Sequence, residues 1–351
     1  MKSKKFLENV FYDRLMSDTF AAARMADVAK LAGVSLASVS RALRAPDSVS
    51  PGTRDRVQRA AARLGYTPSP IAGSLSATCA PLVGVVMPSM ANAFFARSFQ
   101  VLSEGLERAG LRTMPGFHEY DDTREARILE AMLHWKPAAM VVTGLNHSRR
   151  VLALLAGANC PVFEMWDIDG HPVDSAVGFS NAEAGRLAAQ TLLRRGCRDL
   201  VYVTPPNAVD PRAAARAGAF LQTVSVADDA RARHLRAVDR TAGAGADAIR
   251  RLIDLDGGPP DGIAFSGDAL AMGALFEAQR LELSVPERIA VVGYGDLEFA
   301  GYTVPALTTL RPAHDRIGQE LAAHIIARLA DPGRSAVRVD VGIDVVVRES
   351  A

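Results

Sequence analysis

Between Met25 and Arg44, the residues Ser35, Leu36, Ala37, Ser38, Ser40 and Arg41 set short hydroxyls, apolar side chains and one guanidinium on a single short helical run. That combination suits the reading of DNA base edges. Hydroxyls meet donors or acceptors, apolar groups meet thymine methyls, and arginine matches the two in-plane acceptors of guanine. Arg54, near the start of the next helical run, is placed for the phosphate backbone.

A second set lies downstream, where polar and aromatic residues follow apolar runs: Phe94, His147, Glu164, Trp166, Asp167, Arg212, Arg216 and Asp296. In open α/β sheets ligands gather beyond the C-terminal ends of the strands. A small polar ligand needs apolar walls with a few fixed polar groups. Phe94 and Trp166 supply walls, Glu164, Asp167 and Asp296 accept from hydroxyls, and Arg212 or Arg216 pairs with an anionic group. Phe95 suits a core as well as a pocket, His147 suits a surface loop as well as a contact, and Asp268 reads as a helix cap.

No catalytic constellation accompanies these residues. There is no HExxH, GxSxG or P-loop, and AGAGAD at Ala242 follows no strand-to-phosphate-loop pattern. Cys79, Cys160 and Cys197 show neither CxxC nor metal-ligand spacing. The expectation is a protein that is not an enzyme, with no metal and no cofactor.

The elements that position the first set are two short helices broken by Gly33, which can take the positive φ of a sharp turn. Val28, Ala29 and Ala32 before it and Val39, Ala42 and Leu43 after it recur at helical spacing. Ser35 stands at the N-cap of the second helix. This fits a helix-turn-helix and equally a helical hairpin packed on another core. A third helix follows in SVSPGTRDRVQRAAARLGY, with Ser50 as N-cap, Pro51 at the first position and Gly65 past the end. Val57, Ala61 and Leu64 would close a three-helix core, with Tyr66 packed after it.

From Leu82 the pattern becomes apolar β-rich runs (LVGVVMP, AAMVVTG, PVFEMW, LVYVTP, GIAFSG, IAVVGYGD) alternating with amphipathic helices. Continuous apolar strands separated by helices mean parallel sheets covered on both faces. The 351 residues exceed one core, and two such units run in series. The net charge of +1 hides an asymmetry: residues 1–80 hold 12 basic against 6 acidic residues, so the remainder is mildly acidic. A basic head meets a polyanion and an acidic body does not. No membrane-length apolar run and no signal-peptide pattern is found, so a cytoplasmic protein is expected.

DVAKLAGVSLASVSRAL resembles the DNA-binding signature of the LacI-type (lactose-repressor) family of transcription regulators, and almost the whole remaining chain follows that family's order of segments. PSMANAFFA, TGLNHS, PVFEMWD, AVGFSNAEAGR, FEAQRLELSVP and VVGYGDLEFA resemble its gluconate-operon repressor branch. The resemblance implies an all-α helix-turn-helix head followed by an α/β two-lobed, periplasmic-binding-protein-like core with two parallel doubly wound sheets. The implied divisions are an extension at 1–24, a DNA-binding domain at 25–68, a hinge helix and linker at 69–80, and an effector-binding and dimerisation core at 81–351. Lobe one takes about 82–179 and 310–335, and lobe two about 180–309 and 336–349. The crossings fall near Phe179–Asn181, Thr308–Arg311 and Ser335–Arg338, and both strands of VRVDVGIDVVVRE lie in the second lobe.

The resemblance gives the hinge a role, pairing with its dimer mate in the minor groove and wedging Leu75 between base steps. Residues 1–24 read as a loosely ordered extension, as sequence upstream of a true start at Met25 or Met16, or as a DNA-touching arm. The implied partners are a near-palindromic double-stranded operator, a small sugar-acid (gluconate-like) or related carbohydrate effector, and a second copy of the chain. A dimer is expected because no leucine-spaced tail follows the last strand. The alternatives are a regulator answering to a neutral sugar or other metabolite and, more distantly, a periplasmic-type sugar-binding protein. Three positions depart from the family pattern. Gly267 replaces the usual Asn, Gly295 an Asp, and Ala215 an Arg, with Arg212 and Arg216 nearby.

Overall fold

Local chemistry dictates the head. In the computed structural model, which describes residues 23–66, 79–90, 93–206, 210–254 and 258–351, helix α1 (Met25–Ala32) stops at Gly33, whose φ is +63°. Ser35 opens α2 (Leu36–Arg44), its hydroxyl accepting from Ser38 N at 3.2 Å. Helix α3 (Pro51–Leu64) begins with proline and ends at Gly65, φ +62°. Arg24 is a poor cap, but the Asp27 carboxylate accepts from Arg24 N at 2.8 Å, which satisfies the helix entrance. Two expectations change. The Ser50 hydroxyl bonds Thr53 Oγ1 at 3.0 Å instead of capping a backbone N–H. Leu64 is exposed, and Ala60 joins Val57 and Ala61 against Val28, Ala29, Ala32, Val39 and Ala42. The extension, apart from its last two residues, and nearly all of the hinge with Leu75 lie outside the described residues.

The chain divides into two compact units, with the break between Thr78 and Cys79. The second unit holds two six-stranded sheets. The first comprises β1 (Ala80–Met87), β2 (Arg112–Phe117), β3 (Pro137–Thr143), β4 (Val162–Met165), β5 (Ser175–Gly178) and β11 (Arg338–Asp340), in the order β11-β5-β4-β3-β1-β2. All its pairings are parallel. The second comprises β6 (Asp199–Thr204), β7 (Arg231–Arg236), β8 (Gly262–Phe265), β9 (Ala290–Tyr294), β10 (Thr308–Pro312) and β12 (Ile343–Val346), ordered β12-β10-β9-β8-β6-β7. Only its β10–β12 pairing is antiparallel.

Strands buried on both faces explain the unbroken apolar runs. Val85 of β1 points to the cluster with Leu102 and Leu106 of α4 (Ala93–Arg108) and Ile317 and Leu321 of α11 (His314–Ala330). Its neighbour Val86 points the other way, to Leu129 of α5 (Asp122–His134) and Leu155 of α6 (Arg149–Ala156). In the second sheet Tyr202 meets Leu192 of α7 (Asn181–Arg194) and Phe220 of α8 (Pro211–Ser225). Val201 and Val203 face Ile249 of α9 (Ala242–Ile253) and Leu275 of α10 (Asp268–Arg280). No helix among the described residues is long and apolar enough to cross a membrane.

The chain passes between sheets after β5, where expected. The other crossings fall later than the sequence suggested. β10 belongs wholly to the second sheet, and the chain leaves it for α11. β11 stays at the edge of the first sheet, pairing Val339 with Val177, and Val341 N bonds Gly178 O at 2.8 Å. The turn to β12 comes at Gly342, φ +76°. The expected pair of second-lobe strands is thus one strand in each lobe.

Candidate functional site

On the head, Ser35, Leu36, Ala37 and Arg41 are exposed, Ser38 and Ser40 half-buried, and Val39 and Ala42 face the core. Leu36 is 53% exposed, so its side chain is open to contact from outside the head. The Ser35 and Ser38 hydroxyls lie 2.9 Å apart, and each keeps further hydrogen-bonding capacity. Arg54 stands 3.6 Å from Asp47.

In the core, a cavity of about 600 Å³ opens between the two sheets' lobes. Its apolar wall is an aromatic cluster. The ring centres of Phe95 and Trp166 lie 4.9 Å apart, and Phe94 from α4 meets Tyr294 at the end of β9, centres 5.6 Å apart and edge to face. Trp166 takes φ +71°, strained for a large side chain, and Asn181 Nδ2 donates to its carbonyl at 3.1 Å.

The polar wall is built from guanidiniums. Arg212 and Arg216 sit four residues apart on α8, hence on one face, and both are buried. Arg212 Nε lies 3.4 Å from Asp210 Oδ1, and Arg240 Nη2 lies 3.9 Å from Asp210 Oδ2. Burial alone would raise the Asp210 carboxyl, but the Arg212, Arg216 and Arg240 cations hold it below the usual range. Arg216 stacks 3.9 Å from the Tyr294 ring centre and donates to Asn181 Oδ1 at 2.6 Å. Three buried donors on cavity-lining residues have no hydrogen-bond partner among the described residues: Trp166 Nε1, Arg216 Nε and Arg240 Nη2.

Of the eight sequence candidates, Phe94, Trp166, Arg212 and Arg216 line this cavity. His147 lines a smaller neighbouring one of about 240 Å³. It is no surface residue: its ring bonds Glu125 Oε1 and Gly144 O, each at 3.0 Å. Glu164 lies behind the strand end, accepting from Val173 N, with its other oxygen 3.6 Å from His147 Nε2. Burial pushes its carboxyl up to about 7. Asp167 is likewise raised by burial and accepts from Asp169 N. Asp296 is turned away from the cavity, taken by Arg311 Nε at 2.5 Å and Arg348 Nη2 at 2.7 Å. Asp268 does not cap its helix; its two oxygens accept from Thr309 Oγ1 and Leu297 N and so fix the loop after β9. The sequence reading missed Tyr120 and Arg240, which follow the edge strands β2 and β7. RTMPGF, broken by Pro115 and Gly116, and RARHLR, rich in charge, do not stand out as strands in the sequence.

Residues 24–69 match the family described as bacterial regulatory proteins, lacI family, and residues 189–351 match the periplasmic binding protein-like domain. The chain is 32% identical over 326 residues to the HTH-type transcriptional regulator GntR of Pseudomonas aeruginosa, covering 92% of this chain and 94% of that one. A crystal structure of a LacI family transcriptional regulator from Silicibacter pomeroyi superposes with a TM-score of 0.85 at 30% identity, over 93% of this chain and 99% of that one. The fold is also that of the Lac repressor dimer bound to operator and the anti-inducer ONPF, with a TM-score of 0.81 at 22% identity, over 93% and 98%. The relatives named here are regulators rather than enzymes.

Proposed function

The chain is a transcriptional regulator of the LacI family, and we propose that it is a homodimeric repressor of a near-palindromic operator, controlled by a small sugar acid held between the lobes of its core. Ser35, Leu36, Ala37, Ser38, Ser40 and Arg41 meet bases, Arg54 meets phosphate, and Leu75 belongs to the hinge. Arg212, Arg216, Phe94 and Trp166 hold the effector, with His147, Glu164 and Asp167 supporting the neighbouring wall.

The observation that carries the effector reading is the set of buried donors Trp166 Nε1, Arg216 Nε and Arg240 Nη2, unmatched by any acceptor among the described residues. A buried donor left unpaired is costly, so a ligand rich in acceptors, above all a carboxylate, satisfies this wall best. The effector acts by linkage, favouring one arrangement of the lobes over another. A neutral carbohydrate is the second reading, because Glu119, Asp210 and Asp239 share the lining with the three arginines.

Footprinting on the DNA upstream of the gene tests the regulator's operator. Calorimetric titration with a panel of aldonic and ketoaldonic acids tests the effector, and a response to neutral sugars alone would overturn the acidic reading.

A further inference from the structure

The turn after β2 brings Tyr120 to the mouth of the cavity on an unusual backbone. Glu119 and Tyr120 take positive φ in succession, +50° and +61°. Two non-glycine residues in that region persist only where the surroundings hold them. His118 N bonds Met87 O at 3.1 Å and Glu119 N bonds Pro88 O at 2.7 Å, which anchors the turn to the end of β1. From the other lobe, the loop after β7 presents Arg240, whose guanidinium carbon lies 3.7 Å from the centre of the Tyr120 ring. This contact spans the cleft. A guanidinium lying on a ring keeps its N–H donors in its own plane, available to other acceptors. Asp210 is too distant to take Nη2 in a hydrogen bond, and that nitrogen has no such partner among the described residues.

We infer that Arg240 is a third effector-binding cation, selective for an anionic ligand, and that Tyr120 is the positioning residue that holds it from across the cleft. The inference rests on the sugar-acid reading above. With the lobes together, Tyr120 fixes the guanidinium and its free donor meets the ligand's carboxylate. With the lobes apart, Arg240 loses its support. Closure and anion binding therefore favour each other.

The test titrates the full-length protein with D-gluconate and with the neutral D-gluconamide, in wild type, Arg240→Gln, Tyr120→Leu, Tyr120→Phe and the Arg240→Gln/Tyr120→Leu double variant. Arg240→Gln and Tyr120→Leu should each weaken gluconate binding about ten-fold and leave the amide nearly unaffected, a size in keeping with one desolvated cation contact. The double variant should be no worse than the weaker single, and Tyr120→Phe, which keeps the ring face, should bind as wild type. Unchanged gluconate affinity, additive losses, or equal losses for both compounds would overturn the inference. Hydrogen exchange in the ligand-free protein separates it from the effector reading: Arg240→Gln should speed exchange at residues 118–121, and no change there refutes the contact. If the wild type does not prefer gluconate over its amide, the sugar-acid reading and Arg240's part in it fail, whatever the exchange shows of the contact.

Discussion

The ring of Phe94 fills the space that any side chain at position 295 would need: a Cβ on Gly295 would lie 2.2 Å from Phe94 Cε1. Gly295 also has φ +126°, which side-chain-bearing residues rarely adopt. Phe94 comes from the first lobe and Gly295 from the second, so the missing side chain is what lets the aromatic cluster close across the cleft. The glycine also explains why Asp296 is not in the cavity: the chain leaves it at an angle that carries the next carboxylate towards Arg311 and Arg348.

Gly295→Asp should therefore destabilise the protein by about 1–3 kcal/mol through clash and backbone strain, and weaken effector binding. Combining it with Phe94→Ala should recover part of the loss in thermal melts by relieving the clash. A Gly295→Asp variant as stable as wild type would show that the ring moves aside without difficulty.

The two arginines of α8 should separate in their effects. Arg216 is held by Asn181, Tyr294 and the field of Asp210, so Arg216→Gln breaks a buried polar network and should cost about 3 kcal/mol of stability as well as the response to the effector. Arg212 has a longer contact to Asp210 and packs 5.5 Å from the Phe95 ring centre. Arg212→Gln should lose effector affinity with a much smaller change in melting temperature. Equal melting shifts in the two variants would contradict this division.

What the sequence made legible was chemistry confined to a few neighbours. Gly33, Ser35 and Gly65 act within one turn of chain, and the alternation of Val85 and Val86 between two cores is inherent in any strand covered on both faces. The aromatic walls and the pairing of Arg212 with Arg216 followed from strand ends and helical spacing. The fate of Asp296 did not, because Arg311 and Arg348 reach it from 15 and 52 residues away. Tyr120 and Arg240 were hidden for the same reason: they are 120 positions apart, and only the fold brings them face to face.

On the head, Arg41 stands exposed one helical turn beyond the exposed Ala37. Replacing it with Lys keeps the charge but loses the planar fork that fits guanine. Arg41→Lys should weaken operator binding by about 1–3 kcal/mol and relax preference at one base pair of each half-site. Binding-site selection on random duplexes measures this, and an unchanged consensus would remove Arg41 from base reading.

Glu164 gives the core a pH dependence whose sign can be worked out. Burial pushes its folded carboxyl up from the ordinary 4.5 to about 7. The folded state thus holds the proton more tightly than the unfolded chain. The stability this lends is fully present below pH 4.5 and lost as the pH rises through 7. Above that, a buried charge persists 3.6 Å from His147 Nε2 without a hydrogen bond to it. Glu164→Gln is neutral at every pH and keeps an oxygen for Val173 N. Its melting temperature should exceed that of wild type by about 7 °C at pH 8, and the difference should vanish by pH 4.5. Melting curves of both proteins across that range measure it. A difference independent of pH would mean that Glu164 keeps an ordinary carboxyl in the fold.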